Sequence, residues 1–238
     1  MDERCSVCMA TYNGGKHVYR QVKSILDQLS PYDELLVSDD GSKDDTVSIL
    51  NSFNDSRIRI FQNVNKKGPA GNFSTALANA RFEYIFLADQ DDVWLPGKVK
   101  RHIELLQQYE LVVSDAEVVD DNGKVLFPSF FKARNSGKGF MKNFKKNSYL
   151  GCCMSFRRSL LNRAFPFPHW LYMHDWWLGL VAELKGNVYF CHEIFLQYVR
   201  HSDNVTQTLE QTLPLSKKIA NRWGFLKGLI AFKIAGKL

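Results

Sequence analysis

The stretch that decides the fold is YIFLADQDD at residues 84–92, in which five largely apolar residues run directly into an acidic cluster. An apolar run of this length indicates a buried strand of the kind found inside parallel sheets. Asp89, Asp91 and Asp92 would then stand at the carboxyl end of that strand, where parallel α/β sheets bind their ligands. Carboxylates so close together repel one another unless a proton, a hydrogen bond or a cation intervenes. The stretch therefore predicts a parallel sheet with a cation site at its edge.

Two earlier predicted strands also end in polar residues. The strand predicted at 5–12 leads into TYNGG (11–15), and the strand predicted at 34–38 leads into DDGS (39–42). Helical patterns lie between the strands, which is the alternation of parallel βαβ units in a three-layer α/β domain. Because the carboxyl ends of parallel strands share one sheet edge, these polar groups should converge on the acidic cluster. Turn formation or helix capping is the alternative role for such acids, and we favour it for Asp44 and Asp45.

The residue types at this edge indicate which ligand it binds. Carboxylate oxygens with few other protein ligands suit Mg²⁺ or Mn²⁺, especially where the ion bridges a substrate diphosphate. The sequence contains neither the G-x-G-x-x-G fingerprint after its first strand nor the G-x-x-x-x-G-K-[ST] phosphate loop. Dinucleotide dehydrogenases and P-loop enzymes are therefore disfavoured.

The net charge of +6 is concentrated in two segments. Residues 211–238 carry six Lys or Arg and no acid, and without them the remaining 25 basic and 25 acidic residues cancel. Residues 122–174 carry ten Lys or Arg and no acid, so the acids crowd into the first 121 residues. A neutral body with an acid-rich cleft disfavours nucleic-acid binding. The two acid-free segments instead predict contact with anions.

The tail and the cysteines bear on location. No apolar run reaches the ~18 residues of a membrane span, the N-terminus does not look like a signal peptide, and five cysteines fit reduced thiols. We expect a cytoplasmic protein, peripheral on the inner face of the membrane. The tail predicts an amphipathic helix in the headgroup region, the alternative being a helix packed on the catalytic domain or a partner subunit. Its apolar positions with helical spacing are Leu215, Ile219, Trp223, Phe225, Leu226, Leu229, Ile230, Phe232 and Ile234.

Five stretches, taken in order, resemble the family 2 glycosyltransferases with the GT-A fold. They are ATYN (10–13), DDGSKD (39–44), FLADQDDVW (86–94), HDWW (174–177) and HSDNV (201–205), and the last two resemble the bacterial polysaccharide, rhamnosyltransferase-like branch. The resemblance implies a three-layer α/β/α sandwich around a mostly parallel mixed sheet. It also implies a GT-A domain over 1–210, with a nucleotide-sugar half (1–121) and an acceptor half (122–210), followed by a basic amphipathic tail (211–238).

The same resemblance implies roles in binding the donor. Tyr12 would stack on the nucleotide base, and Asp40, supported by Asp39, would accept the base N3–H. Asn72 would contact the nucleoside and Asp89 the ribose. Thr11 and Asn13 belong to the first-strand motif and are expected to bind the donor as well.

For the reaction, the resemblance implies Asp91 and His201 as metal ligands and Asp175 as general base. Many members carry Glu where this chain has His174, which leaves the role of that position open. Asp175 could alternatively cap a helix, and Asp92 could either join the metal or cap the next helix. Two further pairs have open roles: Trp176 and Trp177 form a sugar platform or core, and Arg157 and Arg158 bind an acceptor phosphate or are solvated cations.

The expected reaction is a single displacement that inverts the anomeric carbon. A UDP- or dTDP-sugar, whose bases share the N3–H edge, would donate to a hydroxyl of a glycan or lipid-linked acceptor in cell-surface polysaccharide synthesis. The alternatives are a sugar nucleotidyltransferase, for which residues 11–16 are a poor phosphate loop, and a non-catalytic carbohydrate-binding relative. Assembly into a homo-oligomer stays open.

Overall fold

In the computed structural model, which describes residues 3–171, 173–201 and 215–236, the described strands form one sheet. The strands are β1 (Cys5–Thr11), β2 (Glu34–Asp39), β3 (Ile58–Gln62), β4 (Tyr84–Asp89), β5 (Val93–Trp94), β6 (Leu111–Asp120), β7 (Val125–Phe127), β8 (Met154–Arg157) and β9 (Val188–Arg200). The helices are α1 (Val18–Leu26), α2 (Thr46–Ser52), α3 (Pro69–Ala78), α4 (Lys98–Leu106), α5 (Phe130–Arg134), α6 (Phe140–Lys145), α7 (Arg158–Ala164), α8 (His174–Glu183) and α9 (Leu215–Ile234).

The sheet has the order β3-β2-β1-β4-β8-β6-β9-β5, with β7 paired to β6. Strands β3, β2, β1 and β4 are parallel neighbours. The residues of β1, β2 and β4 are almost all buried. Strand β8 runs antiparallel between β4 and β6, which makes the sheet mixed. The α/β prediction with a mixed, mostly parallel sheet is thereby confirmed.

The register of the parallel strands brings their polar ends together. Thr11 pairs with Asp39 on one side of β1, and Ala10 pairs with Asp89 on the other. The acidic ends of β2 and β4 therefore flank the end of β1, at one edge of the sheet. This is the arrangement that the strand ends predict.

The second half of the sheet returns to that same edge. Strand β9 runs parallel to β6, and β5, directly after the acidic cluster, pairs antiparallel with β9 through Val93 and Gln197. Residues 91–92 and the end of β9 at Arg200 therefore lie together, although they are more than a hundred positions apart in the sequence.

Residues 128–147 are rich in Gly, Lys and Phe, a composition that predicts a loop, but the segment contains α5 and α6. The Ser129 hydroxyl caps α5 by accepting a hydrogen bond from the Lys132 amide. Both helices are short, five and six residues, so neither shows enough turns for its periodicity to stand out. The apolar pattern over 149–156 predicts one strand, but the segment contains a 3₁₀ turn at Gly151–Cys153 followed by β8.

The C-terminal helix α9 packs on α8 and its surroundings. Phe225 is fully buried, with its ring centroid 4.5 Å from that of Trp176 and 6.2 Å from that of Trp177. Gly228 makes the close approach possible, since a Cβ there would lie 2.8 Å from Trp170 Cζ2. The alternative in which the tail packs on the catalytic region therefore accounts for one face of α9. The beginning of the tail, residues 211–214, and residues 237–238 lie outside the described residues.

The domain boundary at 210 also falls outside the described residues and stays a prediction. Among the helices described, none is both long enough and apolar enough to span a bilayer.

Gly71 provides a test of how tightly α3 packs against the loop that precedes it. A Cβ on Gly71 would lie 1.8 Å from the Lys66 carbonyl oxygen, which belongs to backbone and has little freedom to move. We expect Gly71→Ala to destabilise the protein by about 1–3 kcal/mol, although the same change in an open helix stabilises by about 1 kcal/mol. Urea unfolding measures the difference, with Ser74→Ala in the same helix as the control. A Gly71→Ala variant more stable than wild type would refute the close contact.

Candidate active site

The loop after β1 is held by side chains from neighbouring strand ends. The Gln90 side chain accepts a hydrogen bond from the Tyr12 amide (2.8 Å) and donates one to the Tyr12 carbonyl (3.0 Å). Gly14 leaves room for this amide, because a Cβ there would lie 2.2 Å from Gln90 Oε1. With its backbone held at both ends, Tyr12 leaves its ring 53% exposed at the mouth of the site. The ring is thus available to stack on a planar ligand.

Thr11, Asn13 and Asp39 use their side chains inside the protein. Asp39 is buried and accepts four hydrogen bonds, from the Thr11 hydroxyl, the Gly41 amide and both the amide and hydroxyl of Ser42. Asn13 accepts a hydrogen bond from the Lys43 amide at 2.8 Å and has a left-handed backbone with φ of 47°. These three residues therefore hold the two loops in place, and their contact with the donor stays a prediction.

Asp40 and Asn72 lie between β2 and α3. The Asp40 carboxylate accepts hydrogen bonds from Asn63 Nδ2 (2.7 Å) and the Gly68 amide (2.8 Å), and it stays partly exposed. Asn72 is buried and donates to the Thr11 carbonyl at 2.9 Å. Its Oδ1 has no hydrogen-bond partner among the described residues. An acceptor left unpaired in this position suits a donor group on a ligand.

Asp91 pairs with His201 across the sheet edge. The distance from Asp91 Oδ2 to His201 Nε2 is 2.9 Å, and both side chains are largely buried. The His17 ring stacks on His201, with centroids 4.6 Å apart and planes inclined by 19°. Burial and the neighbouring His201 lower the pKa of His17. The sequence singles out Asp91 and His201 but carries no signal for His17, since its contact depends on the end of β9.

Asp89 and Asp92 form a second cluster with Cys152. Their ligand atoms lie within 4.8 Å of one another, and Asp92 is completely buried. Asp92 Oδ1 accepts a hydrogen bond from the Val199 amide at 3.2 Å, and its Oδ2 has no partner in the described parts of the chain. Helix α4 begins at Lys98 after Gly97, so Asp92 does not cap it. Burial raises the pKa of Asp92 well above its usual range, and the charges of Asp91 and Asp89 add to this.

Lys98 places a positive charge beneath the acids. Its side chain is completely buried, with Nζ 2.6 Å from the Cys152 carbonyl and 4.4 Å from the centre of the Trp94 ring. Burial lowers the pKa of Lys98, against the attraction of the Asp92 and Asp89 carboxylates. A buried lysine needs such partners to stay charged. Sequence reasoning missed this residue because a lysine in the first turn of a helix is ordinarily solvated.

Asp175 faces the same acids from α8. It is the second residue of the helix, and its Oδ1 accepts a hydrogen bond from the Trp176 amide at 2.7 Å, while Asn147 also bonds to it. The N-cap position belongs to Met173, so the capping alternative for Asp175 is wrong. Burial raises the pKa of Asp175 to about 6. Burial also raises the pKa of Asp89 to about 7, and the charges of Asp91 and Asp175 contribute. The start of α8 and the end of β4 therefore meet in one site.

His174, beside the base candidate, is buried against Phe73 with ring centroids 4.1 Å apart. Burial lowers its pKa to about 3, which keeps the ring neutral. Neither ring nitrogen has a hydrogen-bond partner within the described ranges. The ring lies next to Gly151, where a Cβ would be 3.3 Å from His174 Nε2 and 3.4 Å from Asp175 Cβ.

The predicted pair Arg157 and Arg158 lies away from this site. Arg157 pairs with Tyr84 at the start of β4, the opposite end from Asp89, and forms an ion pair with Glu83. Arg158 donates to the Phe82 carbonyl at 2.7 Å. The expected contact with an acceptor phosphate therefore does not fit their position, because both guanidinium groups serve the far edge of the sheet.

Trp176 and Trp177 belong to the core. Both are buried, and their indole N–H groups donate to the carbonyls of Asn143 (2.8 Å) and Ala164 (2.9 Å). Neither ring presents a free face for a sugar, because α9 covers them through Phe225. Of the two alternatives, the core role fits the structure and the sugar platform does not.

The donor set around Asp91 fits a divalent cation. Asp91 and His201 offer a carboxylate and an imidazole 2.9 Å apart, and Asp89, Asp92 and Cys152 form a neighbouring group whose ligand atoms lie within 4.8 Å of one another. The carboxylate oxygens and the imidazole are hard or borderline ligands of the kind that Mg²⁺ and Mn²⁺ accept. Lys98 alone does not balance four acids. A divalent cation would offset part of the remaining negative charge and could bind a substrate diphosphate at the same time.

Comparison with known proteins identifies the family of this chain. The profile of Glycosyl transferase family 2 matches residues 6–165. The chain is 32% identical over 193 residues to the UDP-Glc:alpha-D-GlcNAc-diphosphoundecaprenol beta-1,3-glucosyltransferase WfgD of Escherichia coli, covering 78% of this chain and 72% of that protein. It is 29% identical over 221 residues to the dTDP-rhamnosyl transferase RfbG of Shigella flexneri, covering 82% of this chain and 72% of that protein.

Solved structures agree on the fold. Staphylococcus aureus TarS 1–349 in complex with UDP-GlcNAc superposes with a TM-score of 0.69 at 20% identity, covering 88% of this chain and 62% of that chain. The chain thus spans less than two thirds of TarS 1–349. The family profile extends over most of the chain, from β1 to the end of α7. This match favours a glycosyltransferase over the nucleotidyltransferase alternative. This chain belongs to glycosyl transferase family 2.

Proposed function

We propose that this chain is an inverting, metal-dependent glycosyltransferase that moves a sugar from a UDP- or dTDP-sugar to a hydroxyl of a glycan or lipid-linked acceptor. The observation that carries the proposal is the position of Asp175 at the start of α8, close enough to Asp89 for its charge to raise the pKa of that acid. The Asp175 pKa of about 6 leaves this carboxylate deprotonated at neutral pH. Similar proteins support the substrate classes, since WfgD is named for UDP-glucose and a diphosphoundecaprenol acceptor and RfbG for a dTDP-rhamnosyl donor.

The nucleoside would bind over the ends of β1 and β2. The exposed Tyr12 ring offers a stacking surface for the base. The Asp40 carboxylate, held by Asn63 and Gly68, can accept the N3–H that uracil and thymine share. The unpartnered Asn72 Oδ1 would be a second acceptor for the nucleoside, and Asp89 would contact the ribose. Thr11, Asn13 and Asp39 would contribute by keeping these loops in place.

Asp91 and His201 would hold the cation, with Asp92 behind them. When bound, Mg²⁺ or Mn²⁺ neutralises charge on the leaving diphosphate. The side chains of the protein would do the positioning: Asp91 and His201 would set where the diphosphate binds. The buried Lys98 would stabilise the remaining acids. The site therefore has both a place for the leaving group and a charge that balances its surroundings.

Asp175 would accept the proton from the acceptor hydroxyl. A sugar hydroxyl is a poor nucleophile, and a positioned carboxylate can take its proton as the new bond forms. The hydrogen bonds from the Trp176 amide and the Asn147 side chain hold the Asp175 carboxylate in place for this task. Attack on the face opposite the diphosphate inverts the anomeric carbon without a covalent intermediate.

The first test concerns Asp91. We expect Asp91→Asn to lower sugar transfer by roughly 10²-fold or more, because the amide is a weak ligand for a divalent cation. Transfer from UDP-glucose or dTDP-rhamnose is measured across a Mn²⁺ titration, with Asp45→Asn, an exposed acid at the start of α2, as the control. Full activity of Asp91→Asn in the presence of EDTA would exclude the metal assignment.

The second test concerns the rate and its pH dependence. In wild type, kcat/KM should fall as the pH drops below about 6, because protonated Asp175 cannot accept a proton. Asp175→Asn should lose about 10²- to 10⁴-fold in rate while still binding UDP with Mn²⁺ in calorimetry. Loss of UDP binding together with the rate would mean that Asp175 has a structural role instead.

A third test uses stability. The folded-state pKa of Asp175, about 6, lies above the ordinary value of 3.8, so folding favours the protonated form. The cost of the charged form is absent below pH 3.8 and complete above pH 6, where linkage sets it at up to about 3 kcal/mol. Asp175→Asn should therefore unfold at a higher temperature than wild type at pH 8 and at the same temperature at pH 3. Equal stability at both pH values would contradict the buried, costly carboxylate.

The fourth test asks whether His17 positions His201 by stacking. His17→Phe preserves a flat ring and should keep Mn²⁺ affinity close to wild type, whereas His17→Ala should weaken it by about 10-fold or more. The readout is the Mn²⁺ concentration at half-maximal UDP binding, which does not depend on turnover. Equal losses in the two variants would show that a ring nitrogen, and not the stack, is required.

A further inference from the structure

Helix α9 has two apolar faces, and the described parts of the chain cover only one of them. The inner face carries Phe225 and Leu229, both buried, and the partly buried Phe232, whose ring lies 5.1 Å from that of Trp177. The outer face carries Trp223, Leu226, Ile230 and Ile234, which are 59%, 40%, 52% and 82% exposed. Their spacing of three, four and four residues aligns them in one row along the helix.

Cations border this row. Lys227 and Lys233 are exposed on α9, and the helix contains no acidic residue. Helix α6 meets α9 where the Arg222 guanidinium donates to the Lys145 carbonyl. The α6 segment adds Met141, which is 61% exposed, and exposed lysines. Those lysines are Lys142, Lys145 and Lys146.

We propose that α6 and α9 together form one lipid-binding surface that lies in the headgroup region of an anionic bilayer. The inference rests on the proposed function and deepens it, because it assigns the membrane contact to a surface made by two helices. On α9, only the outer face belongs to this surface. An apolar row with Trp, bordered by lysines, is the pattern of a helix that lies in the interface plane. The two acid-free stretches of the chain, separated in sequence, meet here in space.

Two other occupants fit less well. The buried cores of protein interfaces are poor in lysine, whereas lysines line this row on both sides. A second copy of the chain, related by a twofold axis, would bring the same lysines against one another without an acid from α6 or α9 to pair with them. Anionic headgroups supply the opposite charge.

This surface lies next to the catalytic helix. Trp176 and Trp177, which follow Asp175, contact Phe225 on the inner face of α9. A bilayer against the outer face would therefore be one helix layer from α8. An acceptor anchored in that bilayer would be held close to the base candidate.

Flotation of the full chain with vesicles tests the proposal. We expect wild type to float with phosphatidylcholine–phosphatidylglycerol vesicles and not with phosphatidylcholine vesicles, and to lose binding as salt rises. Trp223→Ser/Ile230→Ser and Lys142→Glu/Lys145→Glu should each lose about tenfold or more in partitioning. Leu184→Ser/Lys185→Glu changes an equally exposed apolar residue and cation at the far end of α8 and should float like wild type.

The outcomes separate the surface from the activity. If the α6 variant floats like wild type, the composite surface is wrong. If the control variant loses flotation equally, the binding is non-specific and the proposal fails. Dimerisation of wild type in light scattering that the Trp223→Ser/Ile230→Ser variant abolishes would assign the face to a second copy. Transfer to a water-soluble acceptor, unchanged in every variant, would uphold the proposed function even if flotation fails.

Discussion

Repulsion among buried carboxylates at one edge of the sheet is the constraint on which the rest of this structure depends. The parallel register of β1, β2 and β4 places Asp39 and Asp89 on either side of one strand end, and Asp92 follows within three residues. Removing water from such groups raises the energy of their charged forms. The segments that border this edge offset the repulsion with hydrogen bonds, with a cationic side chain or with space for a ligand.

The answers differ from one acid to the next. Asp39 accepts four hydrogen bonds, two on each carboxylate oxygen, which uses its capacity as an acceptor. Asp91 has an imidazole partner. Asp92 accepts one hydrogen bond, from the Val199 amide, and the buried Lys98 offsets part of the charge of Asp89 and Asp92. Buried acids with an unpartnered oxygen weaken a fold, so a chain that keeps them gains something other than stability. Among the described residues, Asp92 keeps such an oxygen, in the cluster where the leaving group is proposed to bind.

The part of the fold that depends on local pattern could be predicted from the sequence. Apolar runs and polar strand ends indicate β1, β2 and β4 and the edge at which Asp40 and Asp91 lie. The family resemblance adds Asp175 and His201, which local pattern alone would not single out. The insertion of β8 between β4 and β6 depends on pairing between distant segments, and alternation along one strand carries no information about its neighbours. Arg157 and Arg158 illustrate the consequence, since their position at the wrong end of β4 follows from β8 running antiparallel. Lys98 and His17 were missed for the same reason: their partners, Cys152 and His201, are supplied by strands and turns far along the chain.

That distance also explains why the site needs the whole sheet. Asp91 and His201 are separated by 110 positions, and they meet because β5, only two residues long, pairs with the thirteen-residue β9. The same β9 supplies the Val199 amide to Asp92. A chain truncated before β9 would keep the strand ends that suit a nucleoside but would lose the partner of Asp91 and one hydrogen bond to Asp92. The residues proposed to hold the base lie at the ends of β1 and β2, whereas those proposed to hold the diphosphate come together only where β9 pairs with β5. Under the proposed function, nucleotide recognition and leaving-group stabilisation would therefore belong to different parts of one sheet, and the antiparallel pairing of β5 with β9 would join them.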